Sequence, residues 1–172
     1  MNINSAIKEG SKILRSKFIT NSQLDSEILM AKTINKDRNY IVLNSNNFIK
    51  KNDLNYFYRL IEQRSFGKPI SYLTNKKFFW KSEFFITKDT LIPRPDTELL
   101  IEIALKLTKQ KNKISILDIG VGSGCILLSL LKERKNYRGT GIDISKKCLN
   151  ISRINAINHN VSSRLKLYKS DV

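Results

Sequence analysis

Ile114-Ser115-Ile116-Leu117-Asp118-Ile119-Gly120-Val121-Gly122-Ser123-Gly124-Cys125 is the stretch that decides how this chain is read. A short apolar run of strand length comes first. Three glycines at alternate positions follow, and residues 125–131 then resume as a helix. Glycine lets a backbone bend sharply and approach a ligand closely, because no Cβ intervenes. Working outward, residues 138–143 read as a second strand, 146–158 as a second helix and 164–169 as a third strand. Strands and helices alternating at this length predict parallel βαβ units and an α/β fold.

The other side of the stretch has a different texture. Ile3, Ile7, Leu14 and Phe18 recur at helical spacing. Asn21 or Ser22 is placed to cap a second helix carrying Leu24, Ile28, Leu29 and Ala31. A third helix is expected from Asn52 or Asp53, presenting Leu54, Phe57, Leu60 and Ile61. No glycine falls between Gly10 and Gly67. Residues 1–68 are therefore expected to form a helical bundle. Gly67-Lys68-Pro69 is a stop signal. Phe78-Phe79-Trp80 and Phe84-Phe85-Ile86-Thr87 flank Lys81-Ser82-Glu83, which predicts a β-hairpin turning at the polar residues, within a linker of residues 69–92. Pro93 and Pro95 break the chain again. Asp96 or Thr97 then opens a helix expected to show Leu99, Leu100, Ile103, Ala104 and Leu107 on one face. Residues 93–172 form the expected third segment, an incomplete nucleoside-binding domain.

Composition narrows the chemistry. The chain has 172 residues, 41% of them apolar, and a formal net charge of +16. No run of about 18 apolar residues is present, so no membrane span is expected. No secretory signal is seen at the N-terminus, and the expectation is a cytoplasmic protein. Cys125 and Cys148 are the only cysteines and His159 the only histidine. No metal-ligand spacing exists among them, and the cysteines read as reduced and structural. A histidine-based nucleophile triad has too few parts. The positive charge suggests an acidic partner such as RNA. A lysine, isoleucine and asparagine bias accounts for the same charge, and along the sequence the lysines look scattered rather than grouped.

A second strand ending in Asp143 strengthens the reading of the glycine turn. In a doubly wound α/β crevice, that is where a carboxylate accepts hydrogen bonds from ribose hydroxyls. Asp143 also reads as a helix N-cap. The dinucleotide fingerprint is Gly-x-Gly-x-x-Gly, whereas Gly120, Gly122 and Gly124 are one residue tighter. Asp118 sits two residues before the first glycine. A carboxylate there repels a pyrophosphate but suits a sulfonium or a free amino group. The charge logic favours S-adenosyl-L-methionine over NAD. Asp171, after the third strand, is expected near the adenine, or is an ordinary turn residue.

Asp118 to Gly124 resembles motif I of class I methyltransferases. Further segments resemble one family, the HemK/PrmC glutamine methyltransferases. Gly67-Lys68-Pro69-Ile70-Ser71-Tyr72-Leu73 is similar to its Gly-x-Pro-[Ile/Leu]-x-Tyr-[Ile/Leu] segment. Phe79-Trp80 falls at its Phe-[Trp/Tyr] pair. Leu91-Ile92-Pro93-Arg94-Pro95-Asp96-Thr97-Glu98 is similar to its LIPRPETE signature, and Asn155-Ala156 follows the second strand as in the family. The resemblance spans essentially all 172 residues. It implies a helical bundle, a hairpin linker and the first half of a Rossmann-like class I methyltransferase sheet. It also implies N5-methylation of the glutamine in the Gly-Gly-Gln motif of peptide chain release factors, with the helical domain helping to hold the release factor. By position, Asp118, Gly120, Val121, Gly122, Ser123, Gly124 and Asp143 would bind the cofactor. Asp171 and Val172 would lie at the adenine edge. Arg94, Asp96, Thr97 and Glu98 would border the pocket, or else form a proline-defined turn feeding a helix. Phe79 and Trp80 read as hairpin core, or as a platform for the cofactor.

The family's Asn-Pro-Pro-Tyr motif is absent from the 172 residues, so no catalytic residue is assigned. An amide nitrogen is a poor nucleophile because its lone pair is delocalised into the carbonyl. That motif would accept hydrogen bonds from the glutamine NH2 and align it with the sulfonium methyl. The expectation is therefore a chain that binds cofactor weakly and does not methylate by itself: part of a longer or split enzyme, or a decayed gene product. Its first strand should have one open edge, an association hazard. Two other readings stay open: a methyltransferase acting on RNA or a base nitrogen, and a release-factor-binding module or remnant without activity. A dinucleotide-dependent oxidoreductase is more remote.

Overall fold

The computed structural model describes residues 1–171. They divide into two compact units, Met1–Thr74 and Asn75 onward.

The first unit is helical: α1 (Ile3–Ser16), α2 (Ser22–Thr33), α3 (Arg38–Leu43), α4 (Lys51–Ser65) and α5 (Ile70–Thr74). The Asn2 side chain caps α1 by accepting the Ser5 N–H at 2.8 Å, and Asp37 caps α3 by accepting that of Tyr40 at 2.7 Å. Each such cap satisfies a backbone donor that has no partner inside the helix. Ile3, Ile7 and Leu14 of α1 meet Leu29 and Met30 of α2 and Phe57, Leu60 and Ile61 of α4 in one core. Fully burying each large aliphatic side chain contributes about 1.5–3 kcal/mol. Gly10 lets α1 approach α2: a Cβ there would lie 2.7 Å from Ser26 Oγ, which donates to Ile7 O. Arg64 Nε meets Asp25 Oδ2 at 2.7 Å, largely out of solvent.

Phe18, expected on the buried face of α1, lies past its end at φ +59° and is 95% exposed. Helices α3 and α5 have no counterpart in the sequence reading. Each has six residues or fewer, too short for a repeating apolar period to show. The expected linker is divided between the units. Ile70 and Leu73 of α5 pack in the first core, whereas the hairpin belongs to the second unit.

That hairpin is β1 (Lys76–Phe79) and β2 (Ser82–Phe85). Phe79 pairs with Ser82, so the turn is Trp80-Lys81, one residue earlier than the polar Lys81-Ser82-Glu83 suggests. Trp80 takes φ +55° at the first turn position, where hairpin twist demands it. Phe79 and Phe84 are buried edge to face, and Phe84 rests on His159. Burial, with help from Lys132, lowers the His159 pKa.

A 3-10 turn at Pro95–Thr97 leads into α6 (Glu98–Leu107). The expected apolar face is not the packed one. Leu99, Leu100, Ile103 and Leu107 are exposed, and Ile101 is the buried residue. Helix α6 packs on α7.

The sheet comprises β3 (Ile114–Ile119), β4 (Tyr137–Asp143) and β5 (Leu165–Lys169), all parallel, in the order β3-β4-β5. Helices α7 (Cys125–Glu133) and α8 (Lys146–Asn158) make the crossovers. This is one half of a Rossmann-like sheet. Gly139 and Gly141 of β4 leave room on one face for Leu127 and Val121; a Cβ at either would come within 2.8 Å of them. Ile116, Leu165 and Leu167 pack against Val121, Leu127 and Leu149 on that face. On the other face Leu117, Ile119 and Tyr168 are more than half exposed. The far edge of β3 has no partner strand among the described residues.

Candidate cofactor site

Parallel strands place all their C-terminal ends together, so Asp118, Asp143 and Asp171 lie toward one end of the sheet. Strand β3 runs directly into the glycine turn, and α7 starts at Cys125. Gly120, Gly122 and Gly124 all have positive φ, at +77°, +55° and +81°. The turn is fixed from several sides. The N–H groups of Gly120 and Val121 both donate to Ile142 O, at 2.9 and 3.0 Å, and Gly124 N–H donates to Val121 O. Asp143 Oδ2 accepts the Gly122 N–H at 3.0 Å, and its Oδ1 accepts the Ser145 N–H at 2.8 Å. Ser145, not Asp143, is the N-cap of α8, its hydroxyl accepting from Cys148 N–H. Asp143 instead ties the glycine turn to the head of α8. A carboxylate has about four acceptor sites, so both oxygens keep capacity for ligand hydroxyls.

Two further residues hold this turn, and sequence reasoning gives neither of them that role. Ser152 Oγ donates to Gly122 O at 2.8 Å. Asn155 is fully buried; its Nδ2 donates to Ser123 O and to Phe85 O, and its Oδ1 accepts the Phe85 N–H. One side chain thus joins the turn to the hairpin. Asn155 occurs among the quoted resemblances, but nothing in its local pattern distinguishes it from a surface asparagine of α8.

Asp118 is half-buried, two residues before the first glycine of the turn. Burial, with Asp143 adding repulsion, pushes its carboxyl up to about 6, against a backbone hydrogen bond at Leu127 that pulls it down. Among the described residues no cation pairs with it. Cys125 beside it is pushed up to about 11, chiefly by burial, and is no thiolate nucleophile at neutral pH. Asp171 is exposed, following Ser170, whose N–H donates to Asp143 O. Val172 lies outside the described residues.

Arg94 and Asp96 are exposed and Thr97 half-buried. Glu98 Oε1 accepts the Trp80 N–H at 2.8 Å, which anchors the hairpin turn to the start of α6. Phe79 is hairpin core; Trp80 is half-buried and donates from Nε1 to Glu133 at 2.7 Å. No group of three or more His, Cys, Asp or Glu is arranged for a metal among the described residues. No described helix is long and apolar enough to cross a membrane.

Residues 5–74 match the PrmC N-terminal domain, and residues 95–172 match the methyltransferase small domain. The two matches together cover most of the chain, and the first carries the PrmC name. It is 38% identical over 156 residues to the release factor glutamine methyltransferase of Buchnera aphidicola subsp. Acyrthosiphon pisum, covering 91% of this chain and 55% of that one. The Leptospira interrogans relative of the same name is 38% identical over 88% of this chain and 53% of its own. A bifunctional methyltransferase of Rickettsia bellii is 32% identical over 98% of this chain and 35% of its own. The chain spans about half the length of the release factor glutamine methyltransferases it matches. Among solved structures it is similar to YjhP of E. coli, with 29% identity and a TM-score of 0.40 over 45% of this chain and 31% of that one. It is also similar to an RNA methyltransferase of Salinibacter ruber in complex with S-adenosyl-L-homocysteine, with 24% identity and a TM-score of 0.41 over 46% and 50%.

Proposed function

We propose that this chain supplies the N-terminal domain and the methyl-donor half of a release factor glutamine N5-methyltransferase, and that the turn after β3 binds S-adenosyl-L-methionine. The observation that carries this reading is a half-buried carboxylate, Asp118, two residues before a turn of three left-handed glycines and without a cation partner among the described residues. A ligand bearing a positive charge offsets the cost of burying that carboxylate; a pyrophosphate increases it. The space beside Gly120 supports a close ligand approach, since a Cβ there would meet nothing within 4 Å. Asp143, already at Gly122, would accept from ribose hydroxyls, and Asp171 with Val172 would border the adenine. Arg94, Asp96 and Thr97 would border the acceptor pocket, with Glu98 holding the hairpin behind them. When bound, the cofactor supplies an electrophilic methyl group on sulfur.

The acceptor side rests on the family resemblance and on the names of its relatives. Its substrate would be the Gly-Gly-Gln glutamine of a peptide chain release factor, with Met1–Thr74 contributing to docking. None of the 172 residues forms the Asn-Pro-Pro-Tyr group that would polarise the amide. The 172-residue chain is therefore expected to bind cofactor and release factor without measurable methyl transfer alone.

Thermal melting tests the donor reading. A ligand selective for the folded state stabilises it by RT ln(1 + [L]/Kd). S-adenosyl-L-methionine at saturation should raise the melting temperature, NAD should not, and Asp143→Asn should reduce the shift. A shift with NAD and none with S-adenosyl-L-methionine would overturn the assignment.

A further inference from the structure

The C-terminal strand ends of the second unit carry Asp118, Asp143 and Asp171 interspersed with Lys146, Lys147 and Lys169, whereas the opposite end gathers cations that the sequence scatters. Lys113 precedes β3, Lys135 precedes β4, and Lys109 and Lys111 lie in the segment between α6 and β3; Arg138 is the second residue of β4. All five are exposed, and none has an ion-pair partner among the described residues. Two adjoining hollows lie among them, of about 370 and 250 Å³, sharing Lys135, Asn136 and Tyr137 in their walls.

Some basic residues at this end have a structural reason. Arg164 donates to Leu131 O and Arg134 O at the C-terminus of α7 and to Tyr137 O at the start of β4. Lys132 and Arg134 sit in or just after the last turn of that helix, where its dipole favours cations. The one carboxylate in the walls, Glu133, is occupied by Lys81 at 2.8 Å and by Trp80. Lys109, Lys111, Lys113, Lys135 and Arg138 make no ion pair among the described residues.

We infer that this end of the sheet is a docking surface for the phosphodiester backbone of a nucleic acid. A protein partner is the poorer fit. Protein interfaces centre on apolar and aromatic side chains, whereas these hollows present exposed lysines and the amides Asn112 and Asn136, with Tyr137 buried and its hydroxyl donating to Thr108. Cations that reach several phosphates and amides that donate to phosphate oxygens are the usual backbone contacts. The length of β3, at about 3.3 Å per residue, sets this surface about 20 Å from the glycine turn. It is thus separate from the methyl-transfer end, and this inference goes beyond the proposed methyltransferase role.

Fluorescence anisotropy with a labelled single-stranded RNA of about 20 nucleotides, and the DNA of the same sequence, over roughly 50–200 mM salt tests it. The variant Lys109→Gln/Lys111→Gln/Lys113→Gln/Lys135→Gln is compared with Lys8→Gln/Lys12→Gln/Lys17→Gln/Lys51→Gln, which removes equal charge from exposed sites of the first unit. Both should keep the wild-type circular dichroism spectrum, because all eight side chains are exposed. The first variant should weaken binding at least about tenfold at about 100 mM salt. It should also flatten the slope of log K against log salt by about 3 for a single strand, at about 0.7 per lost contact. The second should leave the slope near wild type. A preference of wild type for RNA or for DNA identifies the source of the backbone. Equal loss in both variants, no nucleic-acid binding by wild type at the lowest salt, or tighter patch-dependent binding of polyglutamate than of either nucleic acid would overturn the inference.

Discussion

Gly124 combines a φ of +81° with a missing Cβ whose place lies 2.9 Å from Leu128 Cδ1 and 3.2 Å from Ser152 Oγ. A left-handed non-glycine residue costs about 1–2 kcal/mol before any clash is counted. Gly124→Ala should therefore lower the unfolding free energy by at least that much in urea melts, and should remove the melting shift with S-adenosyl-L-methionine. Asp118 gives the pH signature. Its folded-state pKa of about 6 lies above the usual aspartate value of 3.8, so the folded chain holds this proton more tightly than the unfolded chain. Unfolding free energy from this group then falls as pH rises from roughly 4 to 6 and stays lowered above. Asp118→Asn should flatten that slope and leave the ligand-free chain more stable at about pH 7.5, as measured by urea melts at about pH 4.5 and 7.5. The same variant should lose affinity for S-adenosyl-L-methionine, while wild-type affinity rises through about pH 6 as the carboxylate forms.

At the scale of elements, α8 is the brace of the site. Ser152 and Asn155 lie one turn apart on its buried face, and together they fix Gly122, Ser123 and Phe85. Hydrogen bonds each contribute about 0.5–1.5 kcal/mol, and buried groups left unpaired cost more. Asn155→Ala removes three and strands Phe85 N–H and two carbonyls. It should cost about 2–4 kcal/mol in denaturant melts, with Asn155→Gln failing to restore stability because the longer side chain overpacks a fully buried site. Much of the element pattern is legible in the sequence. Residues 146–158 read as the helix that the structure contains, and the apolar runs make the βαβ alternation clear. Where sequence and structure differ, the differences share a cause. In α6 the apolar residues cover more of the surface than the packed stripe does, so periodicity points to Leu99, Leu100 and Ile103 rather than to Ile101. In the hairpin, polarity marks Lys81-Ser82-Glu83, but pairing of Phe79 with Ser82 sets the turn at Trp80-Lys81.

For the molecule as a whole, the described residues leave one face and one edge of the sheet open. Parallel sheets are normally covered on both faces, yet Leu117, Ile119 and Tyr168 are 59%, 62% and 53% exposed. An uncovered apolar edge strand invites association. Leu117→Lys with Ile119→Lys should raise the concentration at which the 172-residue chain remains monodisperse in dynamic light scattering. Little melting temperature should be lost, because neither side chain is buried. An unchanged onset of association would show that this face does not mediate it.

Sequence alone determined the local facts: a strand, a glycine turn, a helix, their repetition, the helical first unit and the family signature. Each is a property of neighbouring residues, carried by periodicity, missing Cβ atoms and short-range spacing. Only the tertiary structure decided that Asp143 grips the glycine turn from 21 residues away. It also decided that Asn155 links that turn to a hairpin 70 residues earlier, and that separated lysines share one end of the sheet. Those relations depend on which strand ends lie side by side, and parallel pairing sets that through long-range packing.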